Sequence, residues 1–286
     1  MSFRFSSILT GVLTFGVFTI AASGQRPNVS PRPPAPPVPI PAATPATSTV
    51  KGAPKLETAE QIAESAIFFY GYPGYLTVPI GRDRLNQIRK TTLERGTTTI
   101  VSADGKREAA NYQRFVIRAG SLDKERIRLD QEFPTAKYSL VFNDNKIYGV
   151  FNNTVFTPRD DAAKTFENQI IRGLEALLRY KENGSAVALA PREKLMGVDY
   201  FVLDVTDKQE RKTRFYVSVK TFRVMMLTYE EAGVKYRRRY YDYNYAQGTL
   251  VPYRSVLWAN DKIVEETDVG TITFGQRVDE GLFASS

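Results

Sequence analysis

Tyr200-Phe201-Val202-Leu203-Asp204-Val205 and Thr213-Arg214-Phe215-Tyr216-Val217-Ser218-Val219-Lys220 stand on either side of a charged turn, Asp207-Lys208-Gln209-Glu210. Both runs are rich in β-branched and aromatic residues and read as paired strands. The pattern recurs downstream. Residues 223–229 and 234–243 flank Glu231-Ala232-Gly233, and residues 250–258 and 263–274 flank Ala259-Asn260-Asp261. At least six strands in succession, with almost no helix signal, predict a large antiparallel sheet that must wrap around something.

Upstream the same grammar appears with helices added. Thr58-Ala59-Glu60-Gln61 is a capping-box pattern, and Ala59, Ile62, Ala63, Ala66 and Ile67 follow at helical spacing until Gly71 and Pro73-Gly74. Strands are predicted at 97–101 and 111–118 around Asp104-Gly105, at 126–131, and at 137–142 and 146–151 around Asn143-Asp144-Asn145. A second helix, the longest expected, runs from Asp160 to Tyr180, with Ala163, Phe166, Ile170, Leu174 and Leu177 on one stripe. Lying between two sheet-forming blocks, it is placed to cross an open sheet face.

Composition removes whole classes of chemistry. The 286 residues include no cysteine and no histidine. Disulfides, Cys/His metal sites, Ser-His-Asp triads and Cys-His nucleophiles are therefore excluded. Carboxylate chemistry, a Ser-Lys pair or an oxygen-only cation site remain. No phosphate-cradling glycine loop or calcium-loop spacing occurs, and no cofactor is expected. The formal charge of +8 points to anionic lipid head groups or serves solubility.

The N-terminal region reads as targeting and spacer. Residues 1–24 carry Arg4, an apolar segment from Ile8 to Ala21 and small residues before Gln25, as in a secretory signal. Residues 25–54 hold ten of the sixteen prolines and read as a disordered, extended polyproline linker. Residues 55–286 are left for one sheet domain. An exported chain is no partner for nucleic acid.

Three stretches resemble a known family: Gly197-Val198-Asp199-Tyr200-Phe201-Val202-Leu203-Asp204-Val205; Tyr241-Asp242-Tyr243 followed by Leu250-Val251-Pro252-Tyr253; and Thr271-Ile272-Thr273-Phe274 through Val278-Asp279-Glu280-Gly281-Leu282-Phe283. Together they are similar to the LolA/LolB-like superfamily of lipoprotein carriers, over roughly residues 57–283. The resemblance implies an α+β fold, a curved antiparallel sheet forming an incomplete, half-open β-barrel with helices on its open face. It also implies a cavity that shelters acyl chains in a bacterial periplasm. The carriers' arginine that ties barrel to lid falls near Arg82, Arg84 and Arg89, with none of the three singled out.

Strand parity nominates binding residues. Phe201, Leu203, Phe215 and Val217 share one face, and Val224 and Met226 join Tyr236 and Tyr240 in the next pair. In a half-open barrel these line a cavity for a lipid or lipidated protein; in a covered one they are core. Lys235, Arg237 and Arg239 project to the opposite face, as a solvated face or as an anion patch for peripheral membrane contact or an envelope partner. Arg238, flanked by Tyr236 and Tyr240, needs a partner such as Asp242 or Glu265. The adjacent pairs Asp160-Asp161 and Glu265-Glu266 are poor acid–base pairs, because neighbours on a strand diverge and Asp160-Asp161 sits at a helix start. The expectation is a non-enzymatic, soluble, exported lipid-binding protein. An interaction module with a filled core is the alternative, and a carboxylate-dependent hydrolase the third reading.

Overall fold

The computed structural model describes residues 58–72, 82–102 and 104–284. The expected signal segment and proline-rich linker lie outside the described residues. Thirteen strands form one antiparallel sheet: β1 (Thr91–Val101), β2 (Arg107–Ile117), β3 (Arg126–Glu132), β4 (Lys137–Asn143), β5 (Lys146–Phe151), β6 (Thr154–Phe156), β7 (Ala186–Leu195), β8 (Val198–Thr206), β9 (Lys212–Ser218), β10 (Val224–Glu231), β11 (Val234–Ala246), β12 (Thr249–Ala259) and β13 (Lys262–Phe274). Their order is β6-β5-β4-β3-β2-β1-β13-β12-β11-β10-β9-β8-β7. The first block therefore walks away from the middle in one direction, and the second walks back from the far edge. The two meet where β1 pairs with β13, Thr92 opposite Phe274. The sheet is curved and does not close, an incomplete barrel with its helices on one face.

Turn chemistry explains why so many hairpins are this tight. Six connections place two successive residues at positive φ: Asp144-Asn145, Asn152-Asn153, Met196-Gly197, Ala232-Gly233, Gln247-Gly248 and Asn260-Asp261. That backbone matches the right-handed twist of the flanking strands, and Asn, Asp and Gly tolerate it best. The edges are blunted. β6 has three residues, and β7 carries Pro191 at a break in its register with β8. Proline cannot donate to a ladder, so an edge suits it. It also hid β7 from the periodicity reading. Gly96 sits at the bulge in the β1–β13 pairing, where a Cβ would come within 2.1 Å of the Asp268 carbonyl and 2.9 Å of the Tyr112 ring.

Helix α1 (Ala59–Gly71) starts at the expected capping box, with Thr58 Oγ1 accepting from the Gln61 amide at 3.2 Å. Its stripe of Ile62, Ala63, Ala66, Ile67 and Tyr70 is at most 1 % exposed. A short helix unmarked in the sequence, α2 (Arg82–Ile88), leads into β1. The crossing segment is two helices, α3 (Asp160–Ile171) and α4 (Leu174–Leu178), not one continuous helix to Tyr180. The break falls at Gly173, where a Cβ would lie 2.4 Å from the Gln169 carbonyl, so the chain turns at the one residue without one. At 13 residues against 12, α1 rather than the crossing helix is the longest of the described helices.

Two apolar cores flank the middle of the sheet. One joins α1 and α4 to β8–β12 through Ile67, Leu177, Leu203, Phe215 and Leu227. The other joins Phe166 and Ile170 of α3 to β2, β3 and β4 through Val116, Ile127, Leu129 and Leu140. The chain's end closes the outer side: Phe283 is 1 % exposed, and its carbonyl accepts from Asn143 and Tyr148 at 3.0 and 2.6 Å.

Candidate ligand-binding cavity

Between those two cores, where α3 turns into α4 over the β1–β13 junction, the helices and sheet line a half-open cavity of about 210 Å³. Leu129, Val251, Val269, Ile272 and Phe274 from the strands, with Ile170 and Leu174 above, supply its apolar lining. The rest is polar. Four arginines (Arg89, Arg114, Arg118, Arg238) and four glutamates (Glu94, Glu125, Glu175, Glu265) share it with Tyr112 and Tyr240.

The charges are organised as ties between roof and floor. Glu175 on α4 accepts from Arg89 Nη1 at 2.6 Å and from Arg118 Nη2 at 2.6 Å. Arg89 then donates from Nη2 to Thr249 Oγ1 and to the Leu250 carbonyl, both at 2.8 Å, on β12. Glu265 on β13 takes Arg238 at 2.8 Å and, through its other oxygen, Gln169 of α3 at 2.8 Å. Arg179, just past α4, pairs with the buried Glu125. Such pairs replace water with matched partners, which a desolvated charge requires.

These surroundings move protonation equilibria. Burial would raise the Glu175 carboxyl, but Arg118 and Arg89 outweigh it and hold the group below the usual carboxylate range. Burial pushes the Tyr240 phenol up to about 12. Tyr112 is raised by burial and by Glu94, whose carboxylate accepts its hydroxyl proton at 2.7 Å. Both phenols stay neutral at physiological pH. Among the described residues no group of three or more Asp or Glu side chains could hold a metal ion.

Of the residues nominated from strand parity, Tyr240 alone lines this cavity. Phe201, Leu203, Phe215, Val217 and Val224 lie in the packed core under α1, all at 2 % exposure or less. Tyr236 stacks on Tyr229 with ring centroids 4.8 Å apart. Met226 does not share a face with Val224. A register shift between Val224 and Met226 turns its side chain outward, against the cluster of Tyr200, Val202 and Tyr216. On the outer face, Arg237 pairs with Asp261 at 3.2 Å and covers the Trp258 ring at 5.0 Å, Arg239 lies 5.7 Å from the Tyr241 ring, and Lys235 is exposed. Arg238 finds Glu265, as parity required. Of the three arginines near the expected tie, Arg89 makes it to the sheet. Arg82 instead joins Glu64 of α1 to Glu182, each at 2.7 Å, and Arg84 is exposed.

Sequence reasoning passed over Tyr112, Arg114, Arg118 and Glu175. The signal was present on β2, where Tyr112, Arg114 and Val116 share the inward face at period two. An arginine inside an otherwise buried alternation breaks the pattern of apolar in, polar out.

No protein-family model and no curated protein matches the sequence. Solved structures do match. A LolA superfamily protein from Nitrosomonas europaea superposes with a TM-score of 0.55 at 13% identity, covering 80% of this chain and 98% of that one. A DUF1329 family protein from Desulfovibrio piger gives 0.55 at 13% identity, over 71% and 94%. The chain has the LolA-like fold: a half-open antiparallel barrel with helices across its mouth. It is a distant, divergent instance of that fold. Among the described residues no helix is long and apolar enough to cross a membrane.

Proposed function

We propose that this protein is a non-catalytic binding protein of a bacterial envelope, exported by residues 1–24, that shelters a lipid or a lipidated partner. The observation that carries the reading is the cavity beneath the α3–α4 turn, with Leu129, Val269, Ile272 and Leu174 on its walls. Burial of apolar area there supplies affinity without chemistry, at about 25 cal/mol per Å². The glutamates support binding over hydrolysis. Glu125, Glu175 and Glu265 are each tied to arginine, and for Glu175 the paired arginines favour the ionised form and disfavour a proton donor. The likeness in fold to a LolA superfamily protein agrees with this reading. Lys235 and Arg239 on the outer face would meet an anionic membrane surface. Mass spectrometry of organic extracts from protein purified out of its own envelope tests the reading. A stoichiometric lipid is expected, and its absence overturns it.

One observation favours a second reading, an interaction module of an envelope complex. The sheet beneath α1 is filled by Phe201, Leu203 and Phe215, so half of the barrel is core. That reading predicts a co-purifying protein and no lipid.

A further inference from the structure

The charged residues of the cavity do not all have partners. Arg114 lines it, half-buried, and makes no hydrogen bond or ion pair among the described residues. Its cross-strand neighbour is Glu94, but that carboxylate is engaged by the Tyr112 hydroxyl at 2.7 Å and forms no ion pair with Arg114. The other arginines are committed: Arg89 and Arg118 to Glu175, Arg238 to Glu265, and Arg179 to Glu125. The lining thus holds four arginines and four glutamates, and Arg114 is the one arginine among them with neither a hydrogen bond nor an ion pair, in a space it shares with Val269 and Ile272. A free guanidinium fork beside apolar walls matches a bidentate acceptor carried on a hydrocarbon.

Resting on the binding role argued above, the geometry points to a ligand that is a single-chain carboxylate, its head paired with Arg114 and its hydrocarbon against Leu129, Val269 and Ile272. A carboxylate is preferred over a phosphodiester, which carries the same single charge, because the volume of about 210 Å³ leaves little room for a head group with a second substituent. Arg114 is then a specificity residue. The apolar walls bind any chain, and the arginine selects its head.

Calorimetry with ten-carbon probes below their micelle concentrations tests this on the purified full chain. Decanoate is expected to bind about tenfold more tightly than decanol, the scale of one charge-assisted hydrogen bond. Arg114→Gln should abolish that preference while leaving decanol affinity and the melting temperature unchanged. Glu94→Gln, which removes the nearest unpaired negative charge, should raise decanoate affinity severalfold and leave decanol alone. Equal binding of decanoate and decanol, tighter binding of decyltrimethylammonium, or a preference that survives Arg114→Gln overturns the inference while the lipid-binding role stands. A lyso-lipid with a phosphodiester head that outcompetes decanoate overturns the choice of carboxylate. If no ten-carbon probe binds, both the role and the inference fall.

Discussion

The Arg89 guanidinium lies 2.6 Å from the Glu175 carboxylate, and this contact fastens α4 to the turn that launches β1. The side chains of Arg89 and Arg118 are only 6 % and 7 % exposed, so neither can recover water if Glu175 is lost. Glu175→Gln leaves two buried guanidiniums sharing one amide oxygen. The expected cost is about 2–3 kcal/mol, below that of a fully buried pair because Glu175 keeps 28 % exposure. Urea denaturation reads it directly. A loss under half a kcal/mol would show that the tie is not structural.

The same tie sets an acid limit. The folded-state value for Glu175 lies below its ordinary 4.5, with burial opposing the shift and Arg118 and Arg89 winning. Asp204 is also lowered, first by its hydrogen bond to Arg214, against burial. Depressed carboxylates bind fewer protons folded than unfolded. Their stabilisation is therefore complete above the ordinary carboxylate value and is lost as pH falls through the folded value. The urea midpoint should be flat near neutrality and decline below about pH 4.5, with a shallower decline in Glu175→Gln. A midpoint that rises on acidification is incompatible with this account.

Much of the architecture was legible because sheets and capped helices announce themselves locally. Thr58-Ala59-Glu60-Gln61, the Asn-Asp turns and the alternation of residues 200–205 each carry their own geometry. What stayed hidden is long-range or irregular. Nothing local says that β1 will lie beside β13, because that pairing joins residues some 180 positions apart. The bulge that turns Met226 outward inverts a parity argument that is sound for a regular strand. The cavity was missed for the same reason. Its walls come from β1–β3 and β11–β13 with the α3–α4 turn above, and the strands β8–β10, on which apolar alternation is cleanest, are covered by α1. Clean alternation marks the best-packed sheet, and the cavity opens where charged residues interrupt it.

Turn strain offers a stabilising substitution. Ala232 is exposed and sits at φ 49° in the β10–β11 turn, a conformation that costs an ordinary L-residue and suits asparagine. Ala232→Asn should stabilise by about 0.5–1 kcal/mol with no change in ligand binding. Thermal melting checks it. An unchanged or lower midpoint would mean that the turn relaxes the strain elsewhere.

Packing and binding separate cleanly in one pair of substitutions. Phe215 is fully buried between α1 and the sheet, away from the cavity, so truncating it removes packing alone. Phe215→Ala should cost about 3–5 kcal/mol while the surviving folded protein retains lipid in the stoichiometry of the wild type. Val269 is half-buried on β13 and faces the cavity. Val269→Asn should cost little stability, because Val269 belongs to none of the packed apolar clusters, yet it puts a polar group where the proposed ligand's hydrocarbon would lie. Its lipid content on extraction should fall severalfold. The opposite outcome, lipid lost with Phe215→Ala at temperatures where the protein is folded and kept with Val269→Asn, would move the binding space beneath α1 and restore Phe201, Leu203 and Val217 as its walls.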